Sequence, residues 1–166
     1  MIMIINTERL ELYALDARQM RLWLGDIPTL EKEMNCSYKA EPLEGLFLKI
    51  IEGQAKLTEE NASEYFWHSF WFLIRRSDRT VVGSADFKAG PNENGEVEIG
   101  YGLGKEFEHN GYMTEAVAAM CLWAKAQEGV SYVIAETDLD NAPSQNILKR
   151  CGFLETKRDA SVWWKL

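Results

Sequence analysis

The 166-residue chain sets 26 acidic against 18 basic side chains, a net charge of −8, with 46% hydrophobic and 27% charged residues. That balance suits one globular domain with a filled core and excludes general nucleic-acid binding, which draws its affinity from clustered Lys and Arg. No apolar run reaches membrane length, and the three cysteines, Cys36, Cys121 and Cys151, are too few and scattered for a disulfide frame or, with only His68 and His109 beside them, a zinc site. The apolar start Met1 to Ile5 meets Asn6, Glu8 and Arg9 at once and lacks a basic leader, so a cytoplasmic protein is expected, monomeric or homodimeric, without a membrane or nucleic-acid partner. An acidic surface suits a cationic amine and equally suits plain solubility.

In chain order, a strand is predicted near Leu10 to Tyr13, then helix from Asp16 through Met34, interrupted at Gly25-Asp26-Ile27-Pro28. Another helix follows Pro42 and ends near Gly53, and the polar stretch 57 to 64 reads as a loop or a further short helix. From Phe70 the text turns strand-rich: Phe70 to Arg75, Val81 to Lys88, Glu96 to Leu103, Tyr132 to Glu136, Phe153 to Arg158 and Ser161 to Leu166. Gly90 to Gly95 is dense in turn formers and reverses the chain between antiparallel strands. A helix over 112 to 128 carries Met113, Ala116, Val117, Met120 and Ala124 at helical spacing and links one strand to another that can pair parallel to it. The aromatic run Tyr65 to Phe72, with Trp163 and Trp164, serves either a core or a substrate pocket.

Two segments carry chemistry. In Phe107-Glu108-His109-Asn110-Gly111-Tyr112-Met113-Thr114-Glu115-Ala116 a glycine-centred loop opens into that helix, whose first turn leaves backbone N–H groups free and positively polarised. In Asn141-Ala142-Pro143-Ser144-Gln145-Asn146-Ile147-Leu148-Lys149-Arg150-Cys151-Gly152-Phe153 an Asn cap and an early Pro start a short helix that ends at Gly152. Together they resemble the GNAT acetyltransferase superfamily: the first its pyrophosphate motif Q/R-x-x-G-x-G/A, the second its N-x-x-S…h-x-x-x-G-F signature. Tyr112 to Ala116 resembles most the G-Y-[AM]-T-E-A wording of the RimJ/RimL-like branch. Glu108 and Met113 depart from the motif, and neither removes a backbone donor.

The resemblance implies an α/β (mixed α+β) fold, a single domain over 1 to 166 with a mostly antiparallel sheet of six to seven strands flanked by helices and splayed at its centre. It implies acetyl-CoA as acyl donor, with its pantetheine arm between strands 96 to 103 and 132 to 137 and paired to main chain at Tyr101 and Leu103. The phosphates would meet the loop from His109 and Asn110 through Gly111, Tyr112 and Met113, with the Thr114 hydroxyl. Asn141, Ser144 and Lys149 complete the implied set, although Asn141 and Ser144 serve equally as helix caps, and Lys149 and Arg150 as a solvated helix end.

Amide formation needs a neutral nitrogen, a stabilised oxyanion and a proton for the leaving thiolate. Glu98 is the base candidate, on a strand whose alternation also permits a solvent-facing role for Glu96 and Glu98. Ser144 and Tyr101 are rival proton donors, and Cys151 reads as a structural thiol. The expected function is acetyl transfer to a primary amine of a small molecule or amino-acid-like acceptor. A protein N-terminus is the second acceptor class, and a CoA-binding sensor or partner protein without turnover is the non-enzymatic alternative.

Overall fold

Local capping sets the N-terminal helices. Asp16 accepts from Gln19 N at 2.8 Å while Gln19 Oε1 accepts from Asp16 N at 2.9 Å, a reciprocal box that starts helix α1 (Ala17–Gly25). Asp26 ends that helix and caps the next, α2 (Ile27–Met34), which closes on Asn35 in the left-handed region. In the computed structural model, which describes residues 2–166, these two helices lie between strand β2 (Leu10–Ala14) and a two-residue strand β3 (Ser37–Tyr38). A three-residue strand, β1 (Ile4–Asn6), precedes them all.

Helix α3 (Gly45–Glu60) runs through Gly53 into the stretch read from sequence as a loop or a separate short helix. Ile51, Ala55 and Thr58 face inward at helical spacing, Thr58 returns its hydroxyl to Gln54 O at 2.7 Å, and a side chain at the exposed Gly53 would meet nothing within 4 Å. A 3-10 segment, Ala62–Trp67, then leads into β4 (Phe70–Arg75), β5 (Thr80–Phe87) and β6 (Glu96–Leu103). Helix α4 (Tyr112–Lys125), β7 (Tyr132–Thr137), α5 (Ala142–Arg150), β8 (Leu154–Arg158) and β9 (Val162–Lys165) complete the chain.

The sheet has nine strands where six to seven were expected, because the short β1 and β3 carry too few residues to show a period. Its order is β1-β2-β4-β5-β6-β7-β9-β8, with β3 attached to β5. All neighbours are antiparallel except β6–β7 and β3–β5. The architecture is the mixed, mostly antiparallel sheet flanked by helices that the sequence implied.

Both faces of the sheet are covered, and β4 shows how. Trp71 and Leu73 point to the face packed by Met113, Ala116, Val117 and Met120 of α4. Phe70, Phe72 and Ile74 point to the other, packed by Met20, Trp23, Leu30 and Ile51 of α1, α2 and α3. The aromatic run is thus core: Trp67 lies 5.1 Å from both Phe87 and Trp123, and Trp23 meets Phe72 edge-on at 4.9 Å.

One polar clamp ties the N-terminus to α4. The Glu115 carboxylate accepts from Thr7 Oγ1 at 2.5 Å, Arg9 N at 2.9 Å and Arg9 Nε at 2.8 Å. Burial works to raise its pKa, but the bonds from Thr7 and Arg9 outweigh it and the net direction is downward from 4.5. A lowered folded-state value means that the clamp's charge-dependent stabilisation is present above the ordinary glutamate range and is lost as pH falls through the folded value. Glu115→Gln is expected to cost about 1–2 kcal/mol in urea unfolding at neutral pH. The difference from the unsubstituted protein should shrink on titration to pH ~3.

Candidate active site

Strands β6 and β7 pair in parallel only at Glu96↔Tyr132, Val97↔Val133 and Glu98↔Ile134, and then part. On its other edge β6 stays paired with β5 from Ile99 to Leu103. Lys88 N donates to Glu98 O at 3.1 Å and Gly104 N to Val82 O at 2.9 Å, so the even-numbered residues of β6 spend their backbone groups on β5. By alternation, Tyr101 and Leu103 turn their N–H and C=O into the gap beside β7. The sheet therefore has an internal edge of unsatisfied main chain.

A cleft of about 460 Å³ opens along this edge. It is lined by Tyr101, Leu103 and the loop and helix start at His109, Gly111, Tyr112, Met113 and Thr114, and on the far side by Asn141, Ser144 and Arg150 of the α5 region. The loop is shaped by two left-handed residues, His109 (φ 67) and Gly111 (φ 77). Gly111 caps α4 without any side-chain bond, leaving the first-turn N–H groups directed at the cleft. Asn110 does not line the cleft: its amide donates to Phe107 O at 3.0 Å and Glu108 O at 3.1 Å, and its carbonyl accepts from Arg9 Nη1 at 2.8 Å. It fastens the loop from behind. Lys149 also turns away, its ammonium 5.9 Å from the Trp164 ring, while Arg150 one residue on takes the cleft side.

Where the two strands diverge, Tyr101 and Ser144 meet. The phenol and the Ser144 hydroxyl are 2.8 Å apart, and the phenol also reaches Ser144 O at 3.2 Å. Asn141 supplies the cap of α5, its Oδ1 accepting from Ser144 N at 3.2 Å, which leaves the serine hydroxyl for the tyrosine. Burial pushes the Tyr101 phenol up to about 12, against the opposing effect of the Ser144 bond, so it keeps its proton at neutral pH. Tyr101, Asn141 and Ser144 also line a second hollow of about 300 Å³ with Gly100, Glu136, Thr137 and Asp138, so the two spaces meet at this pair.

On the opposite face of β6, alternation sets Glu96, Glu98, Gly100 and Gly102 in a row. Glu98 is held by Lys88 Nζ at 2.6 Å and Glu96 by Lys165 Nζ at 2.9 Å. A Cβ on Gly100 would stand 2.7 Å from Asp86 Oδ1, and one on Gly102 would stand 2.8 Å from Glu41 Oε1. Asp86 is 5% exposed and pairs across the strands with Gly100. Sequence reasoning passed over Asp86, Glu41 and the two glycines because none belongs to a motif; the one cue was a lone carboxylate inside an otherwise apolar strand. Cys151 offers no nucleophile. Burial raises its thiol and takes those of Cys36 and Cys121 to about 11 and about 12, so none is a thiolate at neutral pH.

Comparison with known proteins agrees with this geometry. Residues 11–154 match the family model described as an acetyltransferase (GNAT) domain. Over 157 residues the chain is 29% identical to a protein of Bacillus subtilis (strain 168) named uncharacterized N-acetyltransferase YjdG, covering 88% of this chain and 92% of the relative. Among solved structures, RimL, a ribosomal L7/L12 alpha-N-protein acetyltransferase in complex with coenzyme A, superposes with a TM-score of 0.69 at 17% identity over 99% of this chain and 97% of that one. Ribosomal-protein-S5-alanine acetyltransferase from Vibrio fischeri does so with a TM-score of 0.69 at 13% identity over 99% and 96%.

Proposed function

The chain belongs to the GNAT acetyltransferase family, and on that footing we propose that it acts in the cytoplasm as a single-domain N-acetyltransferase, moving the acetyl group of acetyl-CoA directly to the primary amine of a small, amino-acid-like acceptor. The observation that carries this reading is the pairing of an unsatisfied strand edge with a helix start at the two ends of one cleft. An amide-bearing arm satisfies the first, as a peptide strand completes a sheet edge, and a phosphate satisfies the second. When bound, the donor supplies an activated thioester. The chain's part is to hold it: Tyr101 and Leu103 by main chain, Tyr112 to Thr114 by N–H groups, and Asn141 and Arg150 from the other wall.

Tyr101 and Ser144 serve as one hydrogen-bonded unit that carries a proton to the departing thiolate. Glu98, ion-paired with Lys88, belongs in this reading to the acidic lining that draws an ammonium group in. A small acceptor is favoured because residues 39 to 41 roof the Gly102–Gly104 end of β6. A Cβ on Gly104 would stand 2.8 Å from Lys39 O, leaving a narrow approach. A protein N-terminus is the second reading, favoured by what the RimL and Vibrio fischeri neighbours are named as modifying.

Calorimetric titration with acetyl-CoA, followed by a free-thiol assay over a panel of amines and short peptides, tests both. Thiol release with amines alone supports the small acceptor, release with peptides alone supports the N-terminus, and binding without any release would sink the enzyme reading. Gly111→Trp should weaken acetyl-CoA binding by roughly 100-fold by filling the loop's approach to the phosphates. Tyr101→Phe and Ser144→Ala should each lower kcat by roughly 10- to 100-fold, and the double variant should fall little further, because the pair acts as one donor. Fully multiplicative losses in that cycle would mean two independent roles.

A further inference from the structure

Three rungs of the sheet share the face that looks toward α1, α2 and α3. On the first, Lys88 and Glu98 are ion-paired at 2.6 Å. The second holds Phe70, Asp86 and Gly100, cross-strand partners in that order, and the third Phe72, Ser84 and Gly102. Asp86 is the anomaly among them. It is 95% withdrawn from solvent, and among the described residues no hydrogen bond reaches its carboxylate. A carboxylate so placed is costly unless something pairs with it. It is aimed at Gly100, one of the two positions on β6 where the side chain is missing, Oδ1 lying 2.7 Å from where a Gly100 Cβ would stand.

Gly100 also lines the hollow that holds Tyr101 and Ser144. The phenol lies on one side of the strand and Asp86 on the other, with only the width of a glycine between the acid and the gap. The acidic groups around the opening are Glu41 over Gly102, Glu98 on the neighbouring rung, Glu136 across on β7 and Asp138 just beyond its end. The charge of Lys88, on the neighbouring rung, favours the ionised form of Asp86.

Resting on the acetyl-transfer reading, we propose that Asp86, reached over Gly100, is the group that receives the acceptor's ammonium and takes its proton, making the helix-covered face of β6 the acceptor side. Two protons leave the nitrogen on the way to the amide. Asp86 takes the first, which frees the lone pair to form the C–N bond at the acyl carbon. The second leaves for solvent as the C–S bond breaks, and it balances the proton that the Tyr101–Ser144 pair gives to the sulfur. Glu98 is already ion-paired with Lys88 at 2.6 Å, and besides drawing the ammonium in it biases Asp86 through its charge.

The electrostatics agree. Burial lifts the Asp86 carboxyl from 3.8 to about 7, with Lys88 working to lower it and Glu98 to raise it. A carboxyl raised on folding costs stability: unfolding releases its proton between the two values, so stability falls as pH rises from about 4 to about 7 and the penalty then stays constant.

The experiment is the pH profile of kcat/KM for the amine, with acetyl-CoA affinity and melting temperature measured on the same samples. Asp86→Asn should lower kcat/KM for the amine by roughly 100-fold and erase the limb near neutrality, with acetyl-CoA affinity held within about threefold. Glu98→Gln should keep the limb and move it to lower pH. Between pH ~4 and pH ~8 the melting temperature of Asp86→Asn should fall less than that of the unsubstituted protein. Gly100→Ala, whose methyl crowds Oδ1, should raise the amine KM while acetyl-CoA still binds. An unchanged limb in Asp86→Asn, or a limb abolished by Glu98→Gln alone, would overturn the assignment of Asp86 and leave the transferase reading intact. No thiol release with any amine or peptide, with acetyl-CoA bound, would overturn both.

Discussion

The structure turns on two strands that pair for three residues and then refuse to continue. A sheet gains by closing every ladder, since a backbone group left without a partner away from water costs about 1–3 kcal/mol. Here closure is prevented from both sides. β7 is tied outward to β9, with Trp164 Nε1 donating to Thr137 Oγ1 at 3.0 Å, and α5 enters the gap so that Ser144 meets Tyr101. The open edge is thus an enforced feature of the packing, and it makes the site a demand for hydrogen-bonding partners.

The same strand then separates two chemistries by its period of two. Ile99, Tyr101 and Leu103 fall on the α4 side, next to the cleft that ends at Gly111. Glu98, Gly100 and Gly102 fall on the α1–α3 side, next to Asp86 and Glu41. In the proposed reaction a donor lying along one face and an amine arriving from the other would meet at one strand without competing for space, the arrangement that direct transfer within a ternary complex requires. The glycines matter because a side chain at Gly100 or Gly102 would run into the Asp86 or Glu41 carboxylate.

Elements with strong local signals were legible: Phe70–Arg75 stands where the strand-rich text put it, Glu96–Leu103 where alternation put it, and α4 begins at Tyr112 as its loop implied. Strands of two or three residues carry no period, so β1 and β3 were not readable, and α3 passes through Gly53 because tertiary packing of Ile51 and Ala55 overrides one unfavourable residue. At the site the motif residues could be read and their supports could not. Arg9 lies about a hundred positions from the Asn110 carbonyl and Glu115 carboxylate that it holds, and no local pattern encodes that distance. Lys149 and Arg150 were indistinguishable as text; a helical step of about 100° sends one to Trp164 and the other to the cleft.

The loop also resolves how a chain of net charge −8 can present a surface for a polyanion, and why Glu108 in the motif's first position is tolerated. What the loop offers is geometry. His109 and Gly111 both sit at positive φ, Arg9 binds the Asn110 carbonyl, and the Arg9 guanidinium stacks 4.5 Å from the Tyr112 ring. The carboxylate in the first turn of the helix, Glu115, is already bonded to Arg9 and Thr7, so its charge is largely cancelled where it would oppose an anion. Backbone N–H groups held in place by such a frame bind phosphate by position, and position does not depend on the sign of the protein's net charge. Affinity at this end should therefore respond more to changes that relax the loop, such as loss of Arg9, than to removal of the carboxylate at Glu108.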